Sequence, residues 1–329
     1  MKRWRLTRKS TTMTTSKRVP HEVRGDLGGY EPYPKPLPLL MGREQEPEIL
    51  SDIIGRLALE SMLVEVSATP KPGLVDRNNS GAHRDMGFFT FLKSAASLRN
   101  TFDTFAQAGS DSHSPSSMFP ALRKIGIEAE KYMFSATGGI NTHKGEIFSL
   151  GVLSGCAGYL SHHGQDLTPE NLLNLAGVVC DGLCESDFAE TRRKPRALLT
   201  KGERVYIDYG IAGIRGEAEA GYPVVKNSAL PALSHYLSEG YSMNDALAFT
   251  LIHIMAVNYD TNIISRHDLA TAQEVMNTAK KLIADGLTLE KLYSLDAEFI
   301  SRNISPSGSA DLLAVTYFIY SLAHPSPNL

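Results

Sequence analysis

At 329 residues, with 42% hydrophobic and 21% charged side chains, the chain has ordinary globular composition and room for a sizeable buried core. That excludes collagen, a coiled-coil rod and a mostly disordered chain; no run nears the roughly eighteen apolar residues of a membrane span, and three cysteines fit a reducing, cytoplasmic compartment rather than a disulfide scaffold. The net charge of −3 conceals +7 within residues 1–24, so the remaining chain, with 25 basic and 35 acidic residues, has no cation surplus for general nucleic-acid binding.

Residues 1–46 read as a basic, Pro-rich, disordered extension without catalytic role. The stretch opens with Lys2, Arg3, Arg5, Arg8 and Lys9 among Ser and Thr and ends in the run Glu31-Pro-Tyr-Pro-Lys-Pro-Leu-Pro38, which buries too little apolar surface to offset its ordering entropy. No apolar segment of the secretory type follows the basic start, whereas a transit peptide, or a chain whose first residue is Met13, fits the composition. Residues 47–329 read as one all-α catalytic domain, a single globular multi-helix unit. From Ile49 the period is helical, with Leu50, Ile53, Ile54, Leu57 and Met62 on one face and Ser51 or Asp52 as cap. Further helices are expected at roughly 85–106, 118–134, 146–162, 169–187, 228–239, 242–258, 267–285, 288–300 and 309–323. Thr168, Ser242 and Thr288 are expected N-caps. Polar loops are expected at 107–117 and 188–202. Val205, Ile207 and Tyr209 alternate within 204–209, which reads as a short strand, a helical turn or a loop.

Generic nucleotide motifs are missing. No Gly-Lys dipeptide occurs, so there is no Walker A loop, and Gly210-Ile-Ala-Gly-Ile-Arg-Gly216 lacks the dinucleotide fingerprint. Cys180 and Cys184 read as packing residues rather than zinc ligands. Two polar clusters stand out instead. In Thr69-Pro-Lys-Pro-Gly-Leu-Val-Asp76, prolines on either side of Lys71 stiffen its tether and are expected to aim the ammonium outward. Arg77, Asn78, Asn79, His83, Arg84 and Asp85 follow as a dense run of donors and carboxylates. The second cluster, Thr137-Gly-Gly-Ile-Asn-Thr-His-Lys-Gly145, runs into an apolar helix; its glycines, His143, Lys144 and the helix start suit a polyphosphate cradle, while Asn141 or Thr142 as a plain cap is the bland reading.

Smaller pieces belong with these. Glu128 and Glu130 are two apart on a helix and point different ways, one toward a ligand and one to solvent. Arg215 sits on a glycine-rich stretch. Asp260 and Arg266 flank amides at a helix end, and Asp311 opens the last apolar helix, where it serves either the dipole or a site. Together they supply carboxylates for a hard cation such as Mg²⁺ and cations for phosphates.

In this order the clusters resemble the triphosphoribosyl-dephospho-CoA synthases, which make the prosthetic-group precursor of citrate lyase, with a branch serving malonate decarboxylase. The matching blocks are Glu65–Asp76, Asn79–Met86, Phe91–Ser94, Gly126–Glu130, Thr137–Gly145 with Ile147-Phe148, Gly213–Ala218, Asp260–Ile263 and Ser305–Leu313, covering about residues 50–323. Ser307 departs from the pattern, where a second glycine is expected before Gly308. The resemblance implies that ATP and 3′-dephospho-CoA give 2′-(5″-triphosphoribosyl)-3′-dephospho-CoA and adenine, with the ribose C1′ of ATP as the electrophile. It implies Asp85 or Glu130 stabilising the cationic centre or acting as base, and His83 or His143 moving protons. Lys71, Arg77, Asn141, Thr142, Lys144, Arg215 and Arg266 would bind the substrates and their phosphates, and Asp85, Glu130 and Asp260 would hold Mg²⁺. The product would pass to a holo-citrate lyase-type transferase; a homodimer is also envisaged. The competing readings are a nucleotide N-glycosidic hydrolase, which would release adenine without dephospho-CoA, and a non-catalytic nucleotide- or dephospho-CoA-binding relative.

Overall fold

Side-chain caps set six of the helix starts among the described residues. Thr168, Ser242 and Thr288 each lie in extended backbone and accept a hydrogen bond from the amide three residues on, as expected. In the computed structural model, which describes residues 50–189 and 191–324, all regular structure is helical, with no strand among the described residues. The helices are α1 (Leu50–Ser67), α2 (Phe88–Ser97), α3 (Thr101–Ser110), α4 (Pro115–Thr137), α5 (Lys144–His162), α6 (Pro169–Val179), α7 (Leu183–Ala189) and α8 (Lys201–Tyr209). After them come α9 (Ile214–Glu219), α10 (Leu230–Ser238), α11 (Met243–Met255), α12 (Thr261–Arg266), α13 (Leu269–Ala284), α14 (Leu289–Arg302) and α15 (Ser307–Ala323). The basic extension expected at 1–46 lies outside the described residues.

Several boundaries differ from the expected ones, each for a local reason. The helix expected at 85–106 is two, because the Ser97 hydroxyl takes the Ser94 carbonyl that Leu98 would have used, and Leu98 N–H turns to Ala95 instead. The span 169–187 breaks at Gly182, whose φ of 70° is left-handed. Residues 204–209 are helical: Thr200 and Glu203 form a reciprocal capping box that outweighs the alternation of Val205, Ile207 and Tyr209. Ser51 and Asp52 lie inside α1 rather than capping it. The loop expected at 107–117 shrinks to 111–114, with Pro115 at the start of α4. Within 188–202, two 3₁₀ turns place Lys194 and Arg196 against Glu203 and Asp208 of α8.

α5 is the central element, buried on almost every side, with α1, α3, α4, α6 and α15 packed around it. Small residues let α3 reach it: a Cβ at Gly158 would overlap the Ala106 carbonyl, and one at Gly109 the carbonyl of Gly155. One hydrophobic cluster then runs from Ile54 in α1 to Ile319 in α15. No helix among the described residues is long and apolar enough to cross a membrane. This geometry makes the α3–α5 contact intolerant of volume. Gly158→Leu is expected to lower unfolding free energy by about 1–3 kcal/mol, read as a lower urea midpoint at unchanged slope; an unmoved midpoint would refute the close approach.

Candidate active site

The segment between α1 and α2 has no regular structure, yet it is held by a buried carboxylate. Asp76 accepts four hydrogen bonds: from Thr69 Oγ1 (2.6 Å) and Lys71 N–H (3.2 Å) on one oxygen, and from the Asn78 (2.7 Å) and Asn79 (3.0 Å) amides on the other. Asp296 of α14 takes the Gly73 amide and the Asn79 side chain, and Asn244 of α11 pairs with both backbone groups of Thr69. Polar groups thus replace a secondary-structure ladder and fix the path of the chain.

That path turns Lys71 inward, contrary to the expected outward aim. Its side chain is 1% exposed, and its Nζ donates to Glu65 Oε1 of α1, itself 2% exposed. The prolines beside Lys71 do stiffen the tether, but they deliver the ammonium to a buried carboxylate. Around this pair opens a cavity of about 230 Å³. Its acidic wall is Glu65, Glu146 from the first turn of α5 and Asp311 from α15. Gly145 lets these helices meet, since a Cβ there would overlap the Asp311 carboxylate. Burial, reinforced by Glu65 and Asp311, holds the Glu146 carboxyl well above the usual range, against the pull of Lys71. Burial, with Asp260 and Glu65 adding, does the same to Asp311. Glu65 is raised by burial while Lys71 opposes the rise. Glu146 Oε2 is buried without a hydrogen-bonding partner. The wall therefore sets carboxyl groups that burial biases toward the protonated form beside an ion pair.

The opposite side of the cavity is basic, with His83, Lys201, Asn262 and Arg266. His83 Nε2 lies 2.8 Å from Ser305 Oγ, and Arg266 Nη2 lies 3.4 Å from His83 Nδ1. A guanidinium can only donate, so Nδ1 is the acceptor and Nε2 carries the proton. Burial, aided by Arg266, lowers the pKa of His83, whereas Asp85 opposes this. Asn141 and Thr142 also line this cavity. Asn141 accepts the Lys144 amide, so the bland capping reading holds for it as well, and Thr142 donates to Ser94.

Other expected residues lie elsewhere. His143 is fully buried with Nδ1 2.7 Å from Ser94 Oγ, and burial, then Lys71, drives its pKa down to about 3, a neutral ring packed edge-on against Phe91. Asp85 is 64% exposed on an outer rim shared with His83, Arg84 and Arg266, and Arg77 is exposed. Asp260 has both oxygens filled, by the Asn262 and Ile263 amides that it caps and by Ser309 N–H and Oγ. Glu130 faces a second cavity of about 240 Å³, where Lys144 Nζ bonds it at 2.8 Å and Arg215 also lies, while Glu128 pairs with Lys131 in solvent. Asp85, Glu130 and Asp260 hence do not converge, and no three His, Cys, Asp or Glu side chains among the described residues group to hold a metal. As a set they do not fit a protein-held Mg²⁺. Ser307 opens α15 without positive φ, so no glycine-only backbone is required there.

Three site residues escaped the sequence reading: Glu65, Glu146 and Lys201. Glu65 and Glu146 each interrupt an otherwise apolar helical stretch, Met62–Val66 and Glu146–Leu153, which is the signal that finds them. Lys201 carries no such mark; only the fold brings α8 to the cavity.

The chain matches the family model described as CitG: ATP:dephospho-CoA triphosphoribosyl transferase over residues 51–328. It is 42% identical over 281 residues to the Vibrio cholerae protein named "Probable 2-(5''-triphosphoribosyl)-3'-dephosphocoenzyme-A synthase", covering 83% of this chain and 89% of that one. A Citrobacter koseri protein of the same name is 40% identical over 284 residues, covering 84% of this chain and 93% of its own. No solved structure matches the chain.

The Lys71–Glu65 pair has a testable energetic signature. Lys71→Met leaves a buried carboxylate uncompensated and is expected to cost about 3–5 kcal/mol, whereas Lys71→Met with Glu65→Leu recovers most of it. Urea unfolding of the two variants checks this, and equal losses would mean the pair is not coupled.

Proposed function

The chain belongs to the ATP:dephospho-CoA triphosphoribosyl transferase family, and from that premise we propose that it transfers the triphosphoribosyl group of ATP to the 2′-hydroxyl of 3′-dephospho-CoA, releasing adenine. The observation that supports this chemistry in the acidic cavity is the unpartnered, buried Oε2 of Glu146. Breaking the bond between C1′ and N9 sends its electron pair into the adenine ring, which needs a proton, and leaves oxocarbenium character at C1′. A carboxyl group held protonated by burial answers both needs. Glu146 gives its proton to the departing base and in the same event becomes the carboxylate that faces the positive C1′. Asp311 and Glu65 deepen the negative potential at that point. On the basic side His83 Nδ1, released as the Arg266 guanidinium turns from it to the triphosphate, takes the proton of the 2′-hydroxyl as its oxygen bonds to C1′. Protons balance: one leaves the acceptor, one reaches adenine. Lys201 and Arg266 meet the triphosphate, which stays intact because no phosphorus is attacked.

A divalent cation, in this reading, enters as part of the ATP substrate, shelled by phosphate oxygens and water with at most a carboxylate from the wall. The product is the prosthetic-group precursor for an acyl carrier subunit and passes to a holo-citrate lyase-type transferase. Three unpaired cysteines support a cytoplasmic setting. The homodimer draws its support from exposed Phe89, Tyr132 and Val178 on α2, α4 and α6.

Chromatography of reactions from which ATP, Mg²⁺ or dephospho-CoA is omitted in turn tests the activity. Adenine and the triphosphoribosyl adduct are expected together and only with both substrates; adenine without adduct would mean hydrolysis. Glu146→Gln is expected to lower turnover roughly 10²–10⁴-fold, with KM for both substrates little changed. Turnover near that of the parent would remove Glu146 from the reaction.

A further inference from the structure

The second cavity differs in chemistry from the first. Its floor is carbon: Phe105, Leu122, Ile147, Phe148 and Val152. Its rim is ionic. Arg123 and Arg215 grip the two oxygens of Asp187 from opposite sides, at 2.5 and 2.8 Å, and Lys144 holds Glu130. Three cations against two carboxylates leave the rim net positive. The wall between the cavities is the start of α5, where Asn141, Thr142, Gly145 and Glu146 line the acidic cavity and Lys144 and Ile147 line the other. Each cavity falls below the roughly 300–1,000 Å³ of pockets that take drug-sized ligands, so two nucleotide-sized molecules need room beyond the acidic cavity, and the second cavity offers it just across the first turn of α5.

Resting on the transferase reading above, we infer that this second cavity binds the pantetheine arm of dephospho-CoA, with its diphosphate on Arg123, Arg215 and Lys144. The carbon floor offers an adenine edge no hydrogen-bonding partner, and the adenine of ATP must lie where Glu146 can protonate it. The pantetheine arm is the flexible part of the substrate pair and the one richest in saturated carbon, its gem-dimethyl and methylene groups suited to the floor and its amides and hydroxyl to the polar rim. Connectivity agrees: along dephospho-CoA the order is arm, diphosphate, ribose, and along the protein it is carbon floor, cationic rim, acidic cavity. The arm seated in the second cavity and the diphosphate at Lys144 send the ribose hydroxyl across the α5 start toward C1′. Asp187 holds the arginines in place until phosphate oxygens share them.

Ile127, half-exposed at the cavity, gives a variant that does not depend on core packing. Ile127→Glu is expected to raise KM for dephospho-CoA about tenfold or more while KM for ATP stays within about twofold, and to leave turnover of ADP, an acceptor without the arm, unchanged. Phe148→Ala should show the same split. Calorimetric titration of dephospho-CoA into parent and variant reads the same contact without turnover. A rise in KM for ATP instead, or dephospho-CoA affinity equal in both proteins, overturns the assignment. A parent that binds dephospho-CoA more tightly than Ile127→Glu yet forms no adduct would uphold the cavity and sink the transferase reading.

Discussion

A buried lysine constrains everything else in the acidic cavity. Lys71 Nζ lies among Glu65, Glu146 and Asp311, and removing that many carboxyl groups from water is tolerable only if some are neutral and one is paired. The arrangement answers both conditions, pairing Glu65 with the ammonium while burial favours the neutral form of Glu146 and Asp311. The loop that carries Lys71 must then be placed to within a hydrogen-bond length, which explains why Asp76 spends four bonds on it and why α11 and α14 each contribute an anchor. The irregular stretch is among the most thoroughly tied backbone in the protein.

The start of α5 carries the opposite burden. It divides an acidic pocket from a cationic, carbon-floored one, and its consecutive residues face different chemistries. Lys144 and Glu146 are two apart, so the helix geometry sends them apart. Gly145 between them has no side chain because Asp311 occupies that space. Arg215 belongs to the same division, brought to the cationic rim by the short α9 and set by Asp187 of α7.

The all-α architecture was legible because α4, α11, α14 and α15 carry long apolar periods that open at Ser, Thr or Pro. The splits at Leu98 and Gly182 were not, since one depends on a serine hydroxyl taking a carbonyl and the other on a single left-handed residue. Of the site, Lys71, His83, Asn141, Thr142 and Arg266 were read from polar clusters and do meet in one cavity. The inward turn of Lys71 was illegible because nothing along the chain pairs it with Glu65, whose apolar surroundings mark it as buried without naming its partner. His143 stood in a polar run but is packed in the interior, and Asp260, apparently a free acid, is consumed by capping α12 and pinning α15. Clusters along the chain announce polar chemistry; which atoms stay free is decided by tertiary partners.

The acidic wall joins the two ends of the described chain, Glu65 from α1 and Asp311 from α15, helices that pack against each other. On the ribosome, at about 5–20 residues per second, Glu65 and Lys71 emerge well before Asp311 is made. A nascent or truncated chain lacking α15 has neither the far wall nor the partner helix of α1. The acidic wall is therefore complete only once α15 has been made, so the cavity is assembled last although most of its lining is made early.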